Sequence, residues 1–377
     1  MLFSFDTAKT ILSHSLPIFG SATVLAVTGL AQEANAFQLH NGLGFNAIVF
    51  NDLLAESGDT EGRLAVGGNL KLPGSYSVGD CSSGTIICSK PGNVLERSID
   101  GSRIDLVVGG DITGSAAWGM NSGSARIGGN ISGVDITTVP GSPNTIVDGL
   151  GNNLPVDFAD LKADLRRDAH LLSTLDTTDG TAVTATPWSL VLKGTNSDLN
   201  VFNIDADTWA GSTGLTRYID VPDGAKVIVN VAGERVDISG GQLNFGSEGC
   251  LDPAFAGIPG VKICGDPEDF STRMLVNYYE AKTINLSAFD HQGSLLAPTA
   301  NLSVSGGSVN GQSIVESAQA RSGFEFHYRG NGGEVLDVSE MFPEDGGDNG
   351  DVTEIPEPSL LLGLLGVALM GVRRKRS

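Results

Sequence analysis

The sequence predicts a mainly β fold, a parallel β-helix (solenoid)-like domain with one long packed α-helix. Three observations carry this. First, the chain has 51 Gly against 15 Pro and only 18% charged residues, a balance that favours many short strands and tight turns. Second, short apolar runs ending in paired glycines recur: RLAVGGNL from Arg63, DLVVGGDI from Asp105 and ARIGGNIS from Ala125. Third, a single stretch, VDFADLKADLRRDAHLLSTLD, carries apolar residues at helical spacing. With 377 residues and 40% hydrophobic content, the chain can bury a sizeable core.

The chain opens on a secretory signal over residues 1–36. Lys9 supplies the positive start, Leu16 to Leu30 the apolar stretch, and Ala34-Asn35-Ala36 an A-x-A cleavage site for signal peptidase. The mature body therefore spans residues 37–341. FNAIVFNDLL, from Phe45 to Leu54, reads as a short helix.

Each glycine-paired run then reads as strand, tight turn, strand. Gly109-Gly110 and Gly128-Gly129 lie about one solenoid coil apart, and Gly67-Gly68 about two coils before them, with an insertion between.

The long helix follows. Phe158, Leu161, Leu165, Leu172 and Leu175 share one face, whereas Asp160, Lys162, Asp164, Arg166 and Arg167 cover much of the other. Such a stripe has to pack on something, and the side of a solenoid offers a surface. Val- and Ile-rich strands return in SLVLKG, KVIVNVAG, MLVNYY and TINLS, and GSLLAPTANLSVSGGSVNGQSIVES again reads as coils. Residues 342–355 are acidic and Gly-rich, the composition of a flexible linker.

The last segment, 356–377, sets Pro356-Glu357-Pro358 before an apolar, glycine-containing run. Arg373, Arg374, Lys375 and Arg376 follow. Basic residues stay on the cytoplasmic side of a membrane, so this order would hold the body outside. The arrangement resembles the PEP-CTERM sorting signal. That resemblance implies a Gram-negative source, transient membrane contact through the C-terminal helix, and exosortase acting during transfer to the cell surface or extracellular matrix.

Four cysteines fall into two local pairs, Cys81 with Cys88 and Cys250 with Cys264. Export favours disulfides, and three connectivities are possible, with near-neighbour pairing expected if the pairs lie far apart in the fold. The spacing has no C-x₂-C knuckle, which argues against zinc. No metal or cofactor is expected.

FNAIVFNDLLAESGDTEGRLAVGGNL, KVIVNVAG, GSLLAPTANLSVSGGSVNGQSIVES and FEFHYRG together resemble the choice-of-anchor A domain, from about Phe45 to Gly330. The resemblance implies an extracellular adhesive module, distantly reminiscent of ice-binding β-helix proteins, carried on an interchangeable anchor. It transfers no ligand residues.

The formal net charge of −21 argues against nucleic acid as a partner, because phosphates would be repelled. No H-E-x-x-H, G-x-S-x-G, P-loop or dinucleotide fingerprint is present, and the histidines His14, His40, His170, His291 and His327 are scattered. His170 reads as a packing residue at the helix edge. The pair Asp290-His291 would need a Ser nucleophile held on a strained turn, which the fold does not supply. Asp205 and Asp207 could be read as the acid and base of a polysaccharide-acting enzyme, and Asp345, Asp348, Asp351 and Glu354 as calcium ligands. Fold analogy carries no activity, and the acidic series does not follow an EF-hand order, so it reads as solvated linker.

A Thr cluster, Thr177, Thr178, Thr181, Thr184 and Thr186, lies in one stretch and reads as a loop rather than as an ice-matching array. Trp118, Trp188, Trp209, Tyr278 and Tyr279 are the aromatic candidates for stacking on sugar, each with a role in the core as its alternative. The expectation is an exported, non-catalytic binding module for exopolysaccharide or other extracellular matrix.

Overall fold

The computed structural model describes residues 38–342 except 40–41, 43, 80–103, 116, 121–122, 139–144, 252–261, 267–269, 329–334 and 337. The signal segment with Ala34 and Ala36, the pair Cys81 and Cys88, His14, His40 and everything from 343 onward lie outside the described residues. That last part holds nearly all of the acidic linker and the sorting signal with Pro356, Glu357, Pro358, Arg373, Arg374, Lys375 and Arg376.

Short strands stack in parallel to form a three-faced solenoid. Face one runs, in spatial order, through Leu199–Asp205, Lys226–Ala232, Met274–Asn277, the first half of Ser294–Ser305, the first half of Ser313–Arg321, Ala47–Val49, Leu64–Val66, Ile104–Val108, Ser124–Ile127 and Ile146–Val147. Face two stacks Arg235–Ser239, Thr283–Ser287, the second halves of the same two long strands, Leu53–Ala55, Leu70–Leu72, Ile112–Gly114 and Ile131–Ser132. Face three runs from His291–Gln292 through Ser308–Asn310, Phe324–His327, Gly58–Thr60, Tyr76–Val78 and Ala117–Met120 to Asp135–Thr138. A separate four-stranded sheet sets Ser189–Lys193, Thr216–Asp220 and Gln242–Phe245 in parallel, with Ala182–Ala185 antiparallel at its edge.

Spatial order and chain order differ. The chain enters in the middle of the stack and winds outward from Ala47–Val49 to Ile146–Val147. Helix α1, Phe158–Ser173, then precedes strands at the opposite end, and the second half winds back until Ser313–Arg321 pairs with Ala47–Val49 and Leu53–Ala55. Asn46 and Gln312 stitch this join. Asn46 Nδ2 donates to Gly311 O at 3.0 Å and its Oδ1 accepts from Gly62 N, while Gln312 Nε2 donates to Phe45 O at 2.7 Å.

The paired glycines turn the corner from face one to face two. Strands on either side of each pair do not bond to one another, and each bonds to its equivalent in the neighbouring coil. A Cβ on Gly109 would lie 2.1 Å from Gly67 O, and one on Gly128 would lie 2.2 Å from Gly109 O. Glycine is therefore required here for close backbone approach. The residue after each pair joins a second ladder that starts from Asp52, at the equivalent corner of the preceding coil: Asp52 Oδ1 accepts from Asn69 N at 2.8 Å, Asn69 Oδ1 from Asp111 N at 2.9 Å, and Asp111 Oδ1 from Asn130 N at 2.8 Å.

Helix α1 begins at Asp157, whose side chain accepts from Ala159 N and Asp160 N as an N-cap. Leu161, Leu165, Ala169 and Leu172 are buried against the outer side of face one, on Ile48, Ala65, Val107, Ile228, Leu275, Leu296 and Ile314. Each leucine contributes about 1.5–3 kcal/mol before ordering costs. Covered on both sides, face one reads as continuous apolar runs, whereas faces with one wet side alternate.

That double burial explains one correction. Residues 45–54 do not form a helix: they supply the strands Ala47–Val49 and Leu53–Ala55, with Asn51 and Asp52 at the corner between them. Ala47 and Val49 point into the solenoid and Ile48 lies under α1, so the run is apolar at every position and its period is hidden. The Thr-containing stretch after α1 is likewise partly strand, Ala182–Ala185, rather than loop throughout.

Cys250 and Cys264 form a disulfide with Cα atoms 5.0 Å apart, the local pairing.

Candidate binding face

Face two presents an outward polar array in register. Its inward residues are apolar: Val236 and Ile238, Ile284 and Leu286, Leu302 and Val304, Ala318 and Ala320. Register fixes the outward residues in ranks running across the coils. One rank is Thr283, Asn301 and Ser317, a second is Asn285, Ser303 and Gln319, and a third is Ser239, Ser287 and Ser305. Neighbours in a rank are about 4.8 Å apart, the spacing of parallel strands.

Charged residues bound this array. At one end Arg235 Nε meets Asp237 Oδ2 at 2.6 Å, and Asn285 Nδ2 donates to Asp237 Oδ1 at 2.6 Å. The Arg235 bond, followed by that of Asn285, holds the Asp237 carboxyl below its usual range. At the other side Arg321 pairs with Glu56 at 3.1 Å, and Lys71 with Asp52 at 2.8 Å. Within the ranks, Ser317 Oγ donates to Asn301 Oδ1 at 2.6 Å. Small hydroxyls and amides on a rigid sheet can exchange many weak hydrogen bonds with an extended polar ligand, each worth little net.

The aromatic candidates separate. Trp118 is 1% exposed, and Trp209 and Tyr278 are fully buried, so these three belong to the core and are closed to a ligand. Tyr279 is half-buried, and Trp188 is 81% exposed, in the turn before Ser189–Lys193.

Trp209 and Tyr278 serve an interior chain of polar groups. Trp209 Nε1 donates to Tyr278 Oη at 2.9 Å, Tyr278 Oη lies 3.2 Å from His291 Nε2, and His291 Nδ1 lies 3.2 Å from Gly293 O. One set of donors satisfies every member: Nδ1–H of a neutral His291 faces Gly293 O, and Nε2 accepts the Tyr278 proton. Burial pushes the His291 pKa down to about 4 and raises that of the Tyr278 phenol. Sealed in this way, His291 is unavailable to a nucleophile. Arg217, also buried, donates to the carbonyls of Trp209, Ala210 and Leu215, and its burial lowers its pKa to about 10.

His170 is exposed in the last turn of α1, where it faces solvent rather than packing. Asp205 caps the short helix α2, Ala206–Ala210: its Oδ1 accepts from Thr208 N at 2.7 Å and its Oδ2 from Thr208 Oγ1 at 2.8 Å. These bonds, the backbone one first, hold its carboxyl low, while Asp207 lies in the first turn of α2. Asp205 is thus an ionised cap rather than a general acid. Among the described residues no group of three or more His, Cys, Asp or Glu is placed to hold a metal ion, and no helix is long and apolar enough to cross a membrane.

A family model described as "Putative Ice-binding-like adhesive domain" matches residues 40–328. The chain belongs to this ice-binding-like adhesive family. Among solved structures it is similar to an ice binding protein from an Antarctic biological consortium, at 10% identity and a TM-score of 0.30, over 84% of this chain and 95% of that one. Likeness at that level carries no argument about the ligand. No curated protein matches the chain. An ice-binding-like adhesive domain closed by a disulfide is consistent with an extracellular or surface protein.

The ranks of face two were the part of the site that sequence reasoning missed. Their signal is the alternation in RVDIS, TINLS and NLSVS, where every second residue is small and polar.

Proposed function

We propose that the protein is a non-catalytic adhesive module that holds an extended polysaccharide, as in exopolysaccharide or extracellular matrix, against face two. The observation that supports this is the set of Ser, Thr and Asn ranks on a face whose inward side is wholly apolar. Contacts of this kind are individually weak, and display of many copies raises avidity by about 10²-fold or more without a tight single site. In this reading signal peptidase releases the N-terminus, and exosortase recognises the tail at Pro356-Glu357-Pro358 and frees the body to the cell surface. The membrane contact of the tail is then transient.

The test is co-sedimentation with insoluble bacterial polysaccharides, comparing the native protein with Ser303→Arg and Ser287→Arg. Loss of sedimentation at unchanged melting temperature is the expected result, and unchanged sedimentation in both variants would refute the assignment to face two. Intact-mass analysis of protein recovered from cells and matrix checks the processing: a species keeping Arg373–Arg376 would exclude removal of the tail.

Ice is the second reading, favoured by the regular spacing of the ranks and by the family. Face two carries Thr283 and Thr113 but no continuous Thr rank among the described residues, and of the Thr177–Thr186 cluster only Thr184 lies on a strand, the edge strand Ala182–Ala185. Thermal hysteresis in the purified protein would select this reading over polysaccharide.

A further inference from the structure

At the end of face one where α1 stops, a cleft of about 520 Å³ opens to solvent. Ser173, Asn203, Asp205, Ala232 and Tyr279 shape it. Asp205 pairs with Ala232, and Tyr279 follows Asn277 by two residues as Ala232 follows Asn230, the partner of Asn277. Asp205, Ala232 and Tyr279 therefore line the cleft from three successive coils, Tyr279 from the turn that follows Met274–Asn277. Ala232, on the middle coil, supplies only a methyl group, so the cleft is notched between Asp205 and Tyr279.

The walls of the notch differ in chemistry. Tyr279 offers an aromatic face with a polar tip. Asp205 offers an ionised carboxylate whose two oxygens each keep a lone pair after accepting from Thr208. Asn203 and Asn230 are fixed by their amide bonds to Leu175 and Leu172, so that side of the cleft is rigid. A ring with an apolar face and a rim of hydroxyl donors complements both walls. No Lys, Arg or His lines the cleft, so an anionic ring would face Asp205 without a counter-charge.

We infer that this cleft is a subsite for one uncharged sugar residue of a neutral glycan, stacked on Tyr279 and donating hydroxyls to Asp205. The inference rests on the saccharide reading above and concerns a different surface from face two.

The experiment is calorimetric titration of the purified protein with soluble neutral gluco-, galacto- and manno-oligosaccharides, and with uronic-acid oligosaccharides as the charged control. One neutral series binds and the uronic acids do not. Tyr279→Ala raises the Kd by about tenfold or more, a loss of the size expected for an aromatic anchor. Ala232→Leu, which fills the notch without removing either wall, does the same, with thermal melts confirming that both variants fold. Equal binding by both variants, or no binding by any neutral series, overturns the inference.

Co-sedimentation keeps the two readings apart. A protein that sediments with polysaccharide through face two but takes up no oligosaccharide loses the subsite and keeps the adhesive function. One that binds oligosaccharide in a Tyr279-dependent way but sediments with nothing keeps the subsite and loses the role of face two.

Discussion

The side-chain amide of Asn230 donates to the carbonyl of Leu172 at 2.8 Å, tying the solenoid to the last turn of the helix that lies along it. Asn277 makes the same bond to Ala169 O at 2.8 Å, and Asn203 to Leu175 O at 2.9 Å. These asparagines stack in register on face one, and each also bonds along the stack: Asn277 to Asn230, and Asn230 to Asn203. The match is geometric. Three residues of α-helix rise about 4.5 Å and one coil about 4.8 Å, so the carbonyls of Ala169 and Leu172 meet amides from successive coils, and Leu175, just past the C-cap Thr174, continues the series.

Replacing Asn230 with Leu is therefore expected to lower stability by about 1–3 kcal/mol, since it takes one hydrogen bond each from the Leu172 carbonyl, Asn203 Oδ1 and the Asn277 amide. Urea denaturation monitored by circular dichroism measures it. A change below about 0.5 kcal/mol would show that water replaces the ladder.

Gly109→Ala tests the glycine corner. The new methyl would lie 2.1 Å from Gly67 O, a backbone atom that moves only if the coil does. Overpacking of this kind costs about 1–3 kcal/mol, read as a lowered melting temperature. An unchanged melt would mean that the coils separate freely at this corner.

Stability should fall with acid through the buried histidine. His291 has a pKa of about 4 in the folded chain against 6.5 unfolded, so between these values the unfolded state binds the extra proton. Its contribution is complete above about pH 6.5, declines as pH drops toward 4, and totals on the order of 3 kcal/mol. Melting temperatures from pH 7 to pH 4 for the native protein and His291→Gln test the assignment. The variant keeps a shallower slope in that window, and equal slopes would assign the effect to other groups.

How much of this was legible in the sequence follows from which side of each strand is wet. GGN and GGD marked the coil corners because close approach admits only glycine, and the α1 stripe was readable because its other face is charged. Ala47–Val49 was mistaken for helix because both its sides are covered, by the solenoid interior and by α1, which removes the alternation that marks a strand. Trp209 and Tyr278 stood between the core and sugar stacking because their polar atoms suit either, and only the fold pairs them with each other in the core. The order of the coils was not legible, since nothing local announces that Ile48 will pair with Ile314.

That distant pairing gives the last prediction. The first coil and the last join in the middle of the stack, so the two halves of the chain depend on each other for a buried edge. Asn46 is 1% exposed at this join, and its amide donates to Gly311 O and His327 O while its oxygen accepts from Gly62 N. Ala at this position removes the side-chain partner of Gly311 O and of Gly62 N, leaves His327 O only its bond from Gly311 N, and opens a small void, a loss of about 2–3 kcal/mol. Because the coils on both sides of the join form one continuous hydrogen-bonded stack, unfolding should remain a single transition at a lower urea midpoint. Two separated transitions in Asn46→Ala would instead mean that the halves are independent folding units, and the join a docking contact between them.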